Sequence, residues 1–250
     1  MKSFGFLSFG HHSLDGKHGP LAGEALRQQI ELARAADEIG VNGAYFRVHH
    51  FAPQGSSPMP ILSAIAASTK NIEVGTGVID LRYENPLYLA EEAAALDLIA
   101  EGRVALGVSR GSPEPAERGW EAFGYRGGQA NGADMARQKF ELFMAAVRGA
   151  GVARSAPLEE QYPALYKPGI PLPVFPQSPG LERRIWWGSG SHKTAEQAAR
   201  DGVNLMSSTS VQESDGASFG EIQAEQIARY RATWKEAGHG WTPRVSVSRT

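Results

Sequence analysis

Hydrophobic residues along the chain follow two different periods in turn. Short apolar runs typical of buried strands occur at 4–9, 43–48, 72–81, 103–109, 184–190, 203–208 and 244–248. Between these runs, apolar residues recur every three or four positions, the spacing that places them on one face of an α-helix. The pattern therefore predicts seven strands alternating with helices.

The helix predicted after the third strand has the clearest boundaries. Asn85 and Pro86 fit the N-cap and the first helical position, and Gly102 fits the position just beyond the C-terminus. Its apolar face consists of Leu89, Ala93, Leu96 and Ile99. The same reasoning predicts helices near 26–40, 59–68, 136–147, 194–202 and 222–238.

Alternating strands and helices of these lengths predict an α/β fold with a parallel sheet and helices packed outside it. With 250 residues, the chain fits one domain spanning 1–250. The sheet is either open and doubly wound or closed as an eight-stranded TIM-type barrel, and both place functional loops at the carboxyl ends of the strands. Seven strands would leave a barrel without its final strand and helices, and so with two unpaired edges.

A proline-rich segment interrupts the alternation at 155–184. It contains seven of the fifteen prolines of the chain, and proline is poorly tolerated inside helices and central strands. Loops of this length in compact domains are commonly functional. We expect a surface excursion of the same domain, close to the functional site.

Composition argues against several classes of function. The net charge is -2 with scattered basic residues, so the chain lacks the basic surface that nucleic-acid binding needs. It has no cysteine, which excludes thiolate nucleophiles and sulfur-ligated metals. Its apolar runs are far shorter than the ~20 residues that cross a bilayer, and its first residues lack the apolar core of a secretory signal. We expect a cytoplasmic protein, without membrane contact, whose redox chemistry would come from a cofactor.

The stretch WGSGSHKT at 187–194 suggests nucleotide binding, but its spacing does not fit. A Walker loop needs glycine where His192 stands, and the dinucleotide fingerprint needs a third glycine where Lys193 stands. What remains is a helix start, where free N–H groups favour an anion, carrying Ser189, Gly190, Ser191 and Thr194. The alternative is that Ser191 only caps the helix.

Two arginines could bind such an anion. Arg110 ends the fourth strand, where an arginine commonly has an anionic partner, and Arg137 begins the next helix. The alternative for each is a surface salt bridge, which is favoured for Arg137.

Adjacent histidines, His49 and His50, end the second strand. Neighbouring strand residues point to opposite sides, and the His-x-His pairing used by barrel metallohydrolases does not occur in the chain. We expect no metal site. One imidazole should face the cavity and the other a neighbouring strand or loop.

Three stretches, VHHF at 48–51, the run at 57–111 and RIWWGSGSHKTAEQAARDG at 184–202, resemble the bacterial luciferase-like flavin-dependent oxidoreductases. The resemblance covers nearly the whole chain. It implies an eight-stranded α/β barrel with flavin mononucleotide (FMN) or a deazaflavin lying over the carboxyl ends of the strands.

The resemblance also implies roles for individual residues. His49 matches the catalytic histidine of the family, while the family's preceding glutamate is replaced by Val48. The flavin ring would lean on a non-prolyl cis peptide joining Gly77 and Val78. The positions that match contacts to the cofactor phosphate are Arg110, Arg137, Ser191 and Thr194.

On this basis we expect a monooxygenase using reduced FMN and O2 on a small organic substrate such as an aldehyde. His49 would act as the base, His50 would orient it or form hydrogen bonds from behind, and the segment 155–184 would cover the site as a lid. A homodimer and a separate flavin reductase are further expectations. Two alternatives stay open: a deazaflavin-dependent hydride-transfer enzyme, and a flavin-binding protein or subunit without turnover.

Overall fold

A parallel sheet with helices packed on its outer side organises the fold. The computed structural model describes residues 3–111, 114–208 and 216–249. The main strands of the sheet are β1 (Gly5–Ser8), β2 (Gly43–Phe46), β3 (Glu73–Thr76), β5 (Val104–Ser109), β8 (Ile185–Ser189), β9 (Asn204–Ser207) and β10 (Val245–Val247). They lie side by side in this chain order and every pairing is parallel, which confirms the seven predicted strands.

The helices connect successive strands, as the apolar periodicity predicts. They are α1 (Ala22–Glu38), α2 (Pro58–Ser68), α3 (Pro86–Ile99), α4 (Ala133–Val147), α5 (His192–Asp201) and α6 (Phe219–Ala237). Asn85 caps α3, because its side chain accepts hydrogen bonds from the backbone of Leu87 and Tyr88 at 3.0 and 3.1 Å. In the described part of the chain, none of these helices is long and apolar enough to span a bilayer.

The third predicted strand is not continuous, which corrects the prediction of one strand over 72–81. A short strand, β4 (Ile79–Asp80), follows β3 and pairs only with β5. Gly75 pairs with Ala105 and Ile79 with Val108, so three residues of the third strand span the two residues Leu106 and Gly107 of β5. The extra residue is a bulge, which redirects the chain at the carboxyl end of the strand.

The sheet is strongly curved. Arg244, which precedes β10, forms an ion pair with Glu73 of β3, although β3 and β10 are the third and seventh strands in the sheet order. The hydroxyl of Tyr45 donates to the same carboxylate at 2.5 Å, and the Arg244 guanidinium lies 4.8 Å from the Trp186 ring centre. These contacts close the amino end of an incomplete TIM-type barrel. Among the described residues, no strand joins β1 to β10.

Burial shows where the core lies. All six residues of β5 are buried, as expected for a central parallel strand covered on both faces. The main hydrophobic cluster lies between the outer face of the sheet and the helices, and includes Phe46, Val74, Leu106, Phe140 and Phe143.

The proline-rich segment lies away from the carboxyl ends of the strands, which corrects the prediction that it covers the site as a lid. It leads from the end of α4 to the start of β8 and contains a short antiparallel strand, β7 (Pro171–Leu172), paired with β6 (Ala153–Arg154). Ser178 and Arg184 both donate to the buried carboxylate of Asp97 near the C-terminus of α3, at 2.6 Å each. Because helices of this fold run back toward the amino ends of the strands, the segment is anchored at the end opposite the predicted site.

Candidate active site

Strand register brings the predicted site residues to one end of the sheet. Val108 of β5 pairs with Trp187 of β8, so two residues further on Arg110 lies level with Ser189. Phe46 of β2 pairs with Thr76 of β3, so Arg47 lies level with Gly77. The ends of β2, β3, β5 and β8 therefore form one continuous rim.

The peptide bond between Gly77 and Val78 is cis, as the resemblance implies. The Val78 side chain points across the inner side of the sheet, where only glycines leave room for it. A β-carbon on Gly107 would lie 2.9 Å from Val78 Cγ1, and one on Gly188 would lie 2.8 Å from the same atom. The inner surface just below the rim is thus formed by β3, β5 and β8, which pack together around Val78.

His49 is held by an arginine two residues before it. Arg47 Nε donates to His49 Nε2 at 2.9 Å, and Arg47 Nη1 donates to the carbonyl oxygen of Gly77 at 3.3 Å. The backbone N–H of His49 donates to the carbonyl oxygen of Gly55 at 2.9 Å. Arg47 thereby connects the imidazole of His49 to the peptide that precedes Val78.

Burial and positive charge both favour the neutral form of His49. Burial lowers the pKa of His49, and the neighbouring charge of Arg47 lowers it further. The side-chain amide of Gln54 acts in the opposite direction, and His11 adds a smaller lowering effect. The His49 ring is therefore predominantly unprotonated near neutral pH.

His50 lies in an aromatic cluster next to the rim. Its ring stacks on Tyr83 with centroids 4.1 Å apart and meets the edge of Phe123 at 5.1 Å. Phe51 and Trp120 complete the cluster through contacts with Tyr83 at 6.4 and 6.2 Å. His50 thus packs against aromatic residues of neighbouring segments. His49 instead bonds to Arg47, which in turn bonds to Gly77 at the end of β3.

Several buried polar atoms in this cluster have no hydrogen-bond partner among the described residues. They are His50 Nε2, Tyr83 Oη, Glu114 Oε2 and Trp120 Nε1. Burial raises the pKa of the Glu114 carboxyl to about 7, and the negative charge of Asp80 contributes to the rise. Buried polar groups in native proteins nearly always have partners, so this cluster has hydrogen-bonding capacity to offer a ligand.

A buried ion pair supports the loop that follows β5. Asp80 and Arg82 are 2% and 7% exposed, and Arg82 Nη2 lies 2.6 Å from Asp80 Oδ2. The Arg82 guanidinium also stacks over the Trp120 ring at 4.4 Å. The pair therefore links the end of β4 to the segment 114–132, whose aromatic residues flank the rim.

Ser189, Ser191 and Thr194 form a cluster of hydroxyl groups at the start of α5. Thr194 Oγ1 lies 2.6 Å from Ser189 Oγ and 2.9 Å from Ser191 Oγ. Ser191 is the N-cap of α5, and Gly190 joins it to the end of β8. Both readings of Ser191 are thus compatible with the geometry: it caps the helix, and its hydroxyl belongs to a polar cluster at the rim.

The two arginines predicted to contact an anion differ in their surroundings. Arg110 is half-buried and makes no ion pair with a carboxylate of the described residues. Arg137 holds Asp201 through two hydrogen bonds of 2.5 and 2.9 Å, and Glu141 through a third of 2.7 Å. Arg110 therefore has charge to offer a ligand, and Arg137 would have to leave its salt bridges to do so.

Sequence reasoning did not single out Arg47, Asp80, Arg82 or Glu114. Arg47 could have been found from its two-residue spacing to His49, because residues two apart lie on the same side of a strand. Asp80 and Arg82 could have been found in the same way, because they are opposite charges two residues apart directly after an apolar run. Glu114 has no comparable signal, because only the fold buries its carboxyl. In the described part of the chain, no group of three or more histidine or acidic residues is arranged to hold a metal.

Comparison with known proteins gives an uncharacterized relative that matches most of the chain and a named monooxygenase component that matches about a third of it. The uncharacterized protein YwcH of Bacillus subtilis is 28% identical over 232 residues, which are 92% of this chain and 63% of YwcH. The chain therefore spans less than two thirds of that protein. The oxygenase component of the flavin-dependent trigonelline monooxygenase of Acinetobacter baylyi is 34% identical over 87 residues, 34% of this chain and 24% of that protein.

Solved structures agree on the fold. The oxygenating constituent of 3,6-diketocamphane monooxygenase from Pseudomonas putida, in complex with FMN, superposes with a TM-score of 0.72 and 20% identity, covering 100% of this chain and 67% of that one. The coenzyme F420-dependent tetrahydromethanopterin reductase of Methanopyrus kandleri superposes with a TM-score of 0.65 and 18% identity, covering 98% and 64%.

The chain also matches the sequence model of a whole family over its full given length. The sequence model of the luciferase-like monooxygenases matches residues 1–250. Together with the curved parallel sheet and the cis peptide at the rim, this match shows that the chain belongs to the luciferase-like monooxygenase family.

Proposed function

We propose that this protein is a flavin-dependent monooxygenase that binds reduced FMN over the carboxyl ends of β3, β5 and β8 and acts on a small organic substrate such as an aldehyde. The observation that carries the proposal is the position of Arg110, which lacks an acidic partner among the described residues. It lies level with Ser189, at the edge of the hydroxyl cluster that begins α5.

This part of the rim fits a phosphate in its chemistry. A guanidinium, three hydroxyl groups and the start of a helix all favour a dianion. The hydroxyl groups of Ser189, Ser191 and Thr194 would donate to a phosphate there by giving up their present hydrogen bonds to one another, and Arg110 would balance its charge. Arg137 could join only by exchanging Asp201 for the phosphate.

The opposite part of the rim fits a flat ring and a substrate beside it. The cis peptide of Gly77 and Val78, with the Val78 side chain seated against Gly107 and Gly188, could support such a ring. The unpartnered polar atoms of His50, Tyr83, Glu114 and Trp120 could bond to the polar edge of such a ring or to a substrate oxygen.

Reduced flavin would supply the activation of O2 and the transfer of one oxygen atom to the substrate. The residues of this chain would hold the ring and phosphate, exclude water and exchange a proton at His49. Water exclusion falls to the aromatic cluster around Tyr83 and Phe123, since the proline-rich segment lies at the other end of the sheet.

Flavin binding is the first test. Titrating the protein with FMN and with riboflavin, and following flavin fluorescence, should give at least tenfold tighter binding of FMN, because only FMN carries the phosphate. Equal affinities, or no binding of either flavin, would refute the proposed phosphate site.

Turnover is the second test. Reduced FMN, O2 and an aldehyde should give the carboxylic acid and consume O2 in equal amounts, with oxidised flavin and water as the other products. FMN binding without such turnover on any of a panel of small carbonyl substrates would favour a flavin-binding protein or subunit instead.

A second candidate is a deazaflavin-dependent hydride-transfer enzyme, favoured by the structural similarity to an F420-dependent reductase. Both cofactors combine a tricyclic ring with a phosphate. This candidate would be supported if a substrate oxidised the reduced deazaflavin coenzyme without O2 and reduced FMN did not react with the same substrate.

The proposal includes two partners. A separate flavin reductase would supply the reduced cofactor, in keeping with the relative that is described as an oxygenase component. A second copy of the chain would form a homodimer, which sedimentation of the purified protein would test.

A further inference from the structure

Arg47 is held from three strands at once. Its Nε donates to His49 Nε2 at 2.9 Å, just beyond β2, and its Nη1 donates to the Gly77 carbonyl oxygen at 3.3 Å, just beyond β3. Its guanidinium also lies 5.9 Å from the centre of the Phe9 ring, just beyond β1. The side chain is half-buried. These contacts fix the guanidinium against one particular nitrogen of the His49 ring.

The chemistry of this contact determines the state of the imidazole. A guanidinium only donates hydrogen bonds and stays charged at every pH that proteins tolerate. The nitrogen that receives its N–H must therefore present a lone pair. An imidazole with a lone pair at Nε2 is neutral and carries its proton at Nδ1.

We propose that Arg47 is a positioning residue that keeps the His49 imidazole neutral and fixes its proton at Nδ1. Protonation of Nε2 would place two N–H groups head to head and add a second positive charge beside the guanidinium. In a chain with Val48 immediately before His49, this arginine is the charged group that orients the ring.

Other groups around His49 do not replace this effect. His11, from the segment after β1, disfavours a charge on His49, while the side-chain amide of Gln54 favours it. His50 follows His49 in the chain, and a charge on the His49 ring lowers the pKa of His50. Glu114 favours the charged form of the Arg47 guanidinium, and so supports the charge that faces His49. Arg47 is the permanently charged group in this set.

This inference deepens the proposed function, and its consequence for the reaction rests on that function. While the Arg47 contact lasts, His49 offers an N–H donor at Nδ1. It can accept a proton at Nε2 only after the guanidinium moves away. The catalytic use of His49 as a base would then require a displacement of Arg47.

The experiment is a nitrogen-15 NMR titration of the histidine rings in the protein without added flavin, with the signals of His49 assigned by their loss in His49→Asn. In the wild type, Nδ1 should carry the proton and Nε2 should be unprotonated and hydrogen-bonded. A proton on Nε2 in the neutral ring would overturn the proposal, and this result needs no variant.

Variants of Arg47 test the cause. Arg47→Ala should raise the titration midpoint of His49 and increase the share of the tautomer with a proton at Nε2. Arg47→Lys retains a charged donor and should keep the midpoint near that of the wild type. Arg34→Ala is the control, since Arg34 is exposed on α1. An Arg47→Ala variant with the midpoint and tautomer of the wild type would contradict the proposal.

Failure of the proposed function would give a different result. The titration reads the His49 ring directly and needs neither cofactor nor substrate. A protein that fails to bind FMN but shows the predicted tautomer would refute the function and leave the role of Arg47 intact.

Discussion

Gly111 lies directly against the carboxylate of Asp80. A β-carbon built on Gly111 would be 2.0 Å from Asp80 Oδ2 and 2.2 Å from Asp80 Cγ. The same carboxylate pairs with Arg82 in the interior. The glycine after Arg110 therefore allows the chain to pass over a buried ion pair at the rim of the proposed site.

Gly111→Ala should destabilise the protein by more than about 3 kcal/mol, because the new methyl group displaces Asp80 from a buried ion pair. The control is Gly124→Ala. Both glycines have a positive φ, +89° and +91°, but a β-carbon on Gly124 would have no atom within 4 Å. The control should cost only the ~1–2 kcal/mol of left-handed backbone strain. Urea unfolding of both variants measures the difference, and equal losses would contradict the clash with Asp80.

Arg110→Ala should weaken FMN binding about ten- to a hundredfold, since one charge-assisted hydrogen bond contributes about 1.5–3 kcal/mol. Riboflavin affinity should not change, because riboflavin has no phosphate. Arg137→Ala should have a smaller effect, since that guanidinium is already held by Asp201 and Glu141. Fluorescence titration of the wild type and both variants with both flavins gives the six affinities to compare. A parallel loss of riboflavin affinity in Arg110→Ala would show that Arg110 does not act on the phosphate.

Glu114 should make the stability of the protein depend on pH. Burial raises the pKa of its carboxyl from 4.5 to about 7 in the folded state. Between these values the folded protein holds a proton that the unfolded chain releases, so this group's contribution to stability is present below pH 4.5 and is lost as the pH rises to 7.

Glu114→Gln removes this titration, so the variant should gain stability relative to the wild type as the pH rises from about 4.5 to 7. Urea unfolding of both proteins across that range measures the difference. Comparing the two proteins is necessary because burial lowers the pKa of His49 and of His50, and these rings contribute stability that is lost as the pH falls. A difference that is constant with pH would contradict the raised pKa of Glu114.

Asp97→Asn should destabilise the protein by about 3 kcal/mol, because the fully buried carboxylate is the shared acceptor for Arg184 and Ser178. Ser178→Ala removes one hydrogen bond and should cost about 1 kcal/mol. Glu92→Gln, an exposed position on the same helix, should have almost no effect. Urea unfolding orders the three variants, and an Asp97→Asn loss no larger than that of Ser178→Ala would contradict the proposed anchor.

Much of the fold follows from local patterns. The seven strands and the helices between them were predictable because burial imposes a period on each element, and the cap of α3 because Asn85 bonds to its own helix. The cis peptide was expected from family resemblance and not from any physical property of Gly77 and Val78. The break after Thr76 was not foreseen, because an extra residue between two pairing registers leaves no trace in hydrophobicity.

The candidate site was less accessible to sequence reasoning. His49, Arg110 and the hydroxyl-bearing residues of 189–194 could be named because they end predicted strands or begin a predicted helix. Their partners could not. A surface salt bridge was the favoured interpretation of Arg137 and is confirmed, but only the fold shows that the partner is Asp201, 64 residues later in the chain.

Local patterns in the sequence specify the alternation of elements, the parallel sheet and the residues that end each strand, because these depend on neighbours a few positions apart. Tertiary structure decided which of those residues have charge to offer and which are already paired. It also decided that the Arg47 guanidinium bonds to the carbonyl oxygen of Gly77, 30 residues later in the chain, and that the proline-rich segment lies at the far end of the sheet. Those outcomes depend on contacts between distant parts of the chain, whose geometry is set only when the whole core packs.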